Sequence, residues 1–343
     1  MPKVLIISSP FFGYERSVGR AFEQLGYQVR IENYDEPIHP FKGWLRWRHK
    51  FSLNRERLRE QSRQKYKVYI EHVFDDYKPD IVFSYNGTIL KDETLDYFRQ
   101  KGAKVILWMY DSVLRPDRAM CEKHIDHADV VCCFEETDVE YFAKQGKKAY
   151  FLPLACDTTV YYPQKATKDI DILFVGTIYT SQKRIQMLER LVEHYPQLNI
   201  RIYGEYKPYF KNPITWLFRK HRNTFLNYNI PPQEVNDLYA RTKIALNIHH
   251  KQTFNGANQR FFEASGAGAY QICDANPFIR SVFANGEIGI YENEEQMYAL
   301  IDHALSHDMS QDAERAYEVI IAEHTFLIRV KKMLKLLENA KHK

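Results

Sequence analysis

The stretch "YARTKIALNIHHKQTFNGANQRFFEASGAGAYQICD", Tyr239 to Asp274, decides how this chain folds. "IALNIH" (244–249) and "YQICD" (270–274) are short apolar runs of the kind that form buried strands. Between them, "ANQRFFEASGAG" has helical spacing and ends on small residues. A strand, a helix and a second strand at this spacing form a βαβ unit, whose two strands run parallel.

The same alternation extends in both directions. In the first half the strand candidates are "KVLIIS" (3–8), "QVRIEN" (28–33), "DIVFSY" (80–85), "KVILWMY" (104–110), "VVCCFE" (130–135) and "AYFLPL" (149–154). In the second they are "DILFVG" (171–176), "NIRIYG" (199–204), the two strands already quoted and "IGIYE" (288–292). Helical patterns separate them, and Gly26, Gly102 and Gly146 stand where a helix C-terminus ends in a glycine. The class is therefore α/β, with two doubly wound, Rossmann-like domains predicted to face each other across a cleft. The predicted domains are 1–155 and 166–310, with 311–343 as a terminal helix packing back towards the first. "PLACDTTVYYPQKATKD" (153–169), polar and bounded by proline, reads as the linker.

Composition narrows the class. The 343 residues are 45% hydrophobic, enough for proper cores, and the net charge of +4 argues against nucleic acid as a partner. Five cysteines without a C-x-x-C spacing fit a reducing compartment. No secretory segment or membrane-spanning stretch is read, so the expected location is cytoplasmic.

Ligands of doubly wound sheets sit at the carboxyl ends of the strands. That rule selects the loops containing Gly13, Asn86 and Asp111 in the first half. In the second half it selects Gly176-Thr177, Tyr203-Gly204 and the run from His249 to Gly256. The helix after Asn255-Gly256 offers free N–H groups to a phosphate, and Arg260 adds a fixed positive fork. Glu263 lies two turns past Gly256, roughly 10 Å along the axis, where a carboxylate can accept the vicinal hydroxyls of a ribose. The competing reading is close helix–sheet packing by Gly and Ala, with Arg260 and Glu263 as a solvated i, i+3 pair.

The Tyr239–Asp274 stretch resembles the nucleotide-sugar half of the CgeB-like (spore-maturation) glycosyltransferases, a GT-B group. "DILFVGTIYTSQKRIQML", "IRIYG", "NGEIGIYENEEQMYALI" and "AEHTFLIRV" agree with it in order; the first half is similar only through "LGYQV", "WMYDS" and "LPLACD". The resemblance implies transfer of a sugar from a nucleotide-diphosphate donor to a glycan, lipid-linked or other acceptor, as in polysaccharide biosynthesis. It also implies that Glu263 holds the donor ribose and that Asn258 belongs to the site. The wider class carries a second glutamate eight positions before this one, and here that position is Asn255.

Gly176 and Thr177, with Lys183 and Arg184, make the other half of the expected donor site, receiving the leaving pyrophosphate. Tyr203 and Gly204 are placed to flank the base. Asp111, after an apolar strand, is the candidate catalytic base; the alternative is a turn or N-cap aspartate. His249 and His250 are adjacent on a strand, so they point to opposite faces and do not readily share a metal. One is expected to line the cleft and the other to pack. "DID" (169–171) precedes its strand rather than ending one and is set aside as a metal motif. Neither metal nor cofactor is expected.

Phe41 to Lys67 holds ten Lys/Arg against two Glu, with Trp44, Trp47 and Phe51, and "ITWLFRKHR" (214–222) repeats that character. A solvated helix with core aromatics, peripheral contact with an anionic membrane, and a grip on an acidic polymer all fit. Two other functions share the sequence features: a nucleotide-sugar epimerase of the same fold, and a non-catalytic protein that binds nucleotide sugar or glycan.

Overall fold

The computed structural model describes residues 1–10, 13–34, 55–114, 122–178, 181–205, 224–226, 228–250 and 253–340. Residues 41–54 of the basic aromatic stretch 41–67, and the run 214–222, lie outside these residues.

The chain forms two compact units, Met1–Pro153 with Phe326–Lys343, and Leu154–Thr325. In the first, β1 (Lys3–Ser8), β2 (Gln28–Asn33), β3 (Ile81–Tyr85), β4 (Lys104–Met109), β5 (Val130–Cys133) and β6 (Tyr150–Phe151) make one sheet. Its order is β2-β1-β3-β4-β5-β6, and every pairing is parallel. The helices are α1 (Tyr14–Gln24), α2 (Arg55–Tyr77), α3 (Asp92–Gln100) and α4 (Glu136–Lys144). β3 is buried at every position and β4 at all but its first. Successive strand residues point to opposite faces, so both faces of these strands are covered. This is why β3 and β4 are continuous apolar runs rather than alternating ones.

The second unit contains β7 (Ile170–Val175), β8 (Ile200–Tyr203), β9 (Thr242–Asn247), β10 (Gln271–Asp274) and β11 (Gly289–Tyr291). The order is β11-β10-β9-β7-β8, again all parallel. Its helices are α5 (Gln182–His194), α6 (Pro232–Ala240), α7 (Gln259–Gly266), α8 (Pro277–Val282), α9 (Glu294–Ser306) and α10 (Ser310–Glu323). Renumbered within each unit, both sheets begin with the same order, 2-1-3-4-5. The chain reverses its winding between β1 and β3 in one unit and between β7 and β9 in the other. Such switch points are where doubly wound sheets hold ligands.

All eleven strand segments of the sequence reading are strands here, two with the same bounds and nine with one or both ends moved by one to three residues. Two expectations change. The terminal helix is two helices, α10 and α11 (Phe326–Ala340), broken at His324–Thr325. α10 belongs to the second unit, whereas α11 packs on α1 and β5 of the first. Arg329 of α11 is fully buried, and its Nε donates to the Pro153 carbonyl at 2.6 Å. The segment expected as a linker is also not loose. Leu154, Ala155, Cys156 and Tyr161 are buried, and the Gln259 amide donates to the Ala155 carbonyl. Gly266 is the reason the segment sits so close to α7: a Cβ there would stand 2.3 Å from the Cys156 sulfur.

Candidate functional site

In the first unit the switch-point loops hold Gly13, Asn86 and, one strand further, Asp111. Gly13 is left-handed (φ 79°) and starts α1, its carbonyl accepting from the Arg16 and Ser17 amides. Asn86 is also left-handed, at φ 53°, a conformation that asparagine tolerates better than most residues. That backbone turns the Asn86 amide across to the next strand end. Its Oδ1 accepts from Tyr110 N at 2.6 Å and from Asp111 N at 3.3 Å, while its Nδ2 donates to Asp111 Oδ2 at 3.3 Å. Asp111 itself is half-buried.

Downstream of Asp111, Asp138 holds the same loop. Ser112 Oγ and Val113 N donate to its two oxygens at 2.7 and 3.0 Å. Asp138 is fully buried, and that burial raises its pKa above the ordinary carboxylate value despite both bonds. Sequence reading missed Asp138. It is one acid among several in "FEETDVE", and only the fold turns it towards the loop.

In the second unit Gly176 and Gly204 end neighbouring strands and press together. Gly176 N donates to the Tyr203 carbonyl at 2.9 Å, and a Cβ on Gly204 would stand 1.9 Å from the Gly176 oxygen. Gly204 also has φ 133°, so no other residue fits. The Tyr203 ring meets Tyr228 edge-on at 5.6 Å.

Lys183 and Arg184, expected together on a phosphate, part company. Arg184 is buried: its Nε donates to the Ile248 carbonyl and its Nη1 to the Thr177 carbonyl, both at 2.8 Å. It thereby ties the loop after β7 to the loop after β9, across the switch point. Burial lowers its pKa to about 10, well below an ordinary guanidinium. Lys183 instead lines a groove with Asp274, Asn276, Arg280 and Tyr291.

α7 starts at Asn258, whose Oδ1 accepts from Phe261 N at 3.0 Å as an N-cap. Asn258 and Asn247 exchange two amide bonds, at 2.8 and 3.1 Å. Asn247 passes a further bond to Gln271, which donates to the Phe261 carbonyl and to Ser265. The entry of α7 is thus pinned to β9 and β10 by a buried amide network. Just before it, Asn255 Oδ1 accepts from Phe278 N at 2.9 Å, and the Gly256 carbonyl accepts from Asn276 at 2.8 Å.

Glu263 is fully buried, and Arg260 Nη1 lies 2.5 Å from its Oε2. Arg260 also donates to the Tyr161 hydroxyl at 3.1 Å. The i, i+3 pair weighed in the sequence reading is therefore present, but it is buried rather than solvated. A charge taken out of water needs a partner in hand, and Arg260 supplies it.

His249 is buried and His250 half-buried. Asp274, at the end of β10, accepts from both His249 N (2.9 Å) and His249 Nδ1 (2.7 Å). His249 and Lys183 hold its carboxyl below the ordinary range against the effect of burial, which is the largest single influence and acts the other way. Asp274 was not among the sequence candidates; its signal is an acid ending an apolar strand, as in Asp111. "DID" sits at the opposite end of the sheet. Asp169 pairs with Arg241, and Asp171 with Lys243 at 2.8 Å.

Residues 183–335 match the family model described as "Glycosyl transferase-like", which spans most of the second unit and part of α11. The sucrose-phosphate synthase of Thermosynechococcus elongatus superposes with a TM-score of 0.72 at 13% identity, covering 99% of this chain and 100% of that one. Trehalose 6-phosphate synthase from Burkholderia multivorans gives 0.65 at 10%, covering 100% and 99%. MnaA of S. aureus with UDP gives 0.57 at 12%, covering 98% of each. At such identities these likenesses establish the fold, and the domain match adds the activity. The protein is a GT-B glycosyltransferase. No curated protein sequence matches this glycosyltransferase significantly. Among its described residues no helix is long and apolar enough to cross a membrane.

Proposed function

We propose that this glycosyltransferase is CgeB-like, takes a nucleotide-diphosphate sugar, and uses Asp111 as the base for an acceptor hydroxyl. In the reaction the bond from the anomeric carbon to the diphosphate oxygen breaks and a bond to the acceptor oxygen forms. The acceptor proton goes to Asp111, and the diphosphate leaves with its charge. The observation that carries the reading is the capped start of α7 at the β7/β9 switch point, inside the matched domain. The first amides of a helix have no partners within it and attract phosphate oxygens. Lys183 and Arg260 add positive charge, so the leaving group is stabilised without a divalent ion. Gly176 and Thr177 let the diphosphate approach backbone. Tyr203 and Gly204 border the base. Arg184 acts one step back, fixing the two loops.

Glu263 is assigned to the donor ribose. Its bond to Arg260 must then open or be shared when donor binds. Asn255, occupied by the Phe278 amide, serves the loop rather than the sugar. The assay is diphosphate release from a panel of nucleotide sugars, with and without acceptors, in excess chelator. Acceptor-stimulated release supports the proposal. Binding without turnover across the acceptor panel favours a silent binding protein, and interconversion of the sugar without acceptor favours an epimerase. Loss of turnover restored by magnesium or manganese overturns metal independence.

A lipid-linked acceptor is suggested by the ten Lys/Arg and two Trp of 41–67. Each basic residue near an anionic leaflet contributes about 1 kcal/mol, so salt-sensitive binding to anionic vesicles is expected. Failure to co-sediment at low salt removes the membrane as partner and leaves a soluble glycan.

A further inference from the structure

His249, Cys273 and Asp274 are brought together by the ends of β9 and β10, and the sugar-transfer chemistry uses none of them. Their donor atoms all lie within 4.8 Å of one another. Cys273 Sγ is 3.7 Å from His249 Nδ1 and 3.9 Å from Asp274 Oδ1, and the remaining edge, Nδ1 to Oδ1, is 2.7 Å. A tetrahedral zinc with bonds of about 2.0, 2.0 and 2.3 Å to N, O and S sets those donors roughly 3.3 to 3.5 Å apart. Two edges of the triangle already lie within a few tenths of an ångström of that geometry. The third opens when the metal replaces the imidazole–carboxylate hydrogen bond.

We propose that His249 Nδ1, Cys273 Sγ and Asp274 Oδ1 form a binding site for a thiophilic divalent cation, zinc in the first instance, with the fourth position open. A mixed N, S, O donor set suits zinc and disfavours magnesium and calcium, which take oxygen ligands. Asp274 is the entry. It lines a groove with Lys183, Arg280, Glu292, Glu294 and Glu295, where carboxylates outnumber cations. His249 and Cys273 lie buried behind it.

The protons balance simply. Nδ1 faces a carboxylate acceptor, so it carries the ring proton, and His249 Nε2 is buried without a hydrogen-bond partner among the described residues. When zinc takes Nδ1, the ring proton moves to Nε2. The Cys273 thiol gives up its proton to solvent, since the metal's charge offsets the cost of burying a thiolate. Asp274 keeps its bond from the His249 amide, so the ion would cross-link the loop after β9 to the end of β10. The site lies beside the donor-binding elements and does not depend on how they are assigned.

The test uses the full-length protein with Cys121, which lies outside the described residues, changed to serine. Cobalt(II) is added as a spectroscopic stand-in, followed by zinc. The expected result is one cobalt per chain with sulfur-to-cobalt charge-transfer absorption, displaced by zinc, together with a zinc-dependent rise in Tm. Cys273→Ser should abolish the absorption. Asp274→Asn, which keeps the hydrogen bonds to His249, should weaken zinc binding at least tenfold in a protein with unchanged secondary structure. Charge-transfer absorption that survives Cys273→Ser, or unchanged zinc affinity in a folded Asp274→Asn protein, overturns the site. So does the absence of any thiolate absorption in the parent protein.

Discussion

Asp111 and Glu263 are both carboxylates at the carboxyl side of a parallel sheet, yet the two units hold them by opposite means. Asp111 is half-buried and kept in place by groups distant in sequence: the neutral Asn86 amide and, through the loop, Asp138. Glu263 is wholly buried and held by a cation one turn away on its own helix. The difference follows from desolvation. A partly hydrated carboxylate needs only orientation, and a dipole from an amide provides it. A carboxylate removed from water needs a counter-charge. The first arrangement suits the base role proposed for Asp111. The second builds a rigid element on which other groups can be placed.

The largest effect should come from removing the buried charge. Glu263→Ala should cost about 2–4 kcal/mol of folding stability, somewhat less than a sealed pair because Arg260 retains some exposure. Donor-nucleotide affinity should fall by a similar amount if the ribose assignment holds. Denaturant unfolding and calorimetry on one variant separate the two. A destabilised protein with wild-type nucleotide affinity would make the pair scaffolding alone. Replacing both members with apolar residues of similar volume should recover most of the stability.

Asp111→Asn should leave stability and donor binding nearly unchanged while turnover falls about 100-fold, or about 2.7 kcal/mol in the barrier. Equal losses in turnover and donor affinity would mean that Asp111 binds rather than abstracts. Asn86→Gly tests the holder instead of the held. Glycine accepts the left-handed backbone, so only the amide contacts go, and kcat should drop about 10-fold with KM unaltered.

The smallest effect is a pH dependence. Burial raises the Asp138 pKa in the folded protein. Between the unfolded value, near 4, and the raised folded value, the folded state therefore binds more protons than the unfolded one. Stability from this group is fully present below the unfolded pKa and is lost as pH rises through the folded pKa. Asp138→Asn removes that loss. The stability difference, variant minus wild type, should therefore grow as pH rises from the unfolded carboxylate value through the raised folded one. A difference that is flat with pH would show that Asp138 is not destabilised by its burial.

Legibility tracked how local each cause was. The strands could be read because each is a self-contained apolar run, and α7 because its helical spacing and small-residue end are local; its start was read just after Gly256, whereas the Asn258 cap sets it at Gln259. Lys183 and Arg184 could not be told apart, since neighbours on a helix differ only in which way they face, and the facing is set by β9. The 153–169 segment looked like a linker because its residues are polar and Pro-bounded; the glycine that lets it pack lies about a hundred residues later, at Gly266. Asp274 and Cys273 were passed over for the same reason: their partner, His249, lies in the loop after another strand.

By itself, the sequence determined the two parallel sheets, their order along the chain and the loops at their carboxyl ends. Those depend on hydrophobic period, helix caps and turn residues, which act over a few positions. Only the tertiary structure decided which charged groups are buried, which amide orients Asp111, and that α11 belongs with the first unit. Those outcomes depend on desolvation and close packing between segments far apart in the chain, and a local pattern carries no record of which distant group will supply the partner.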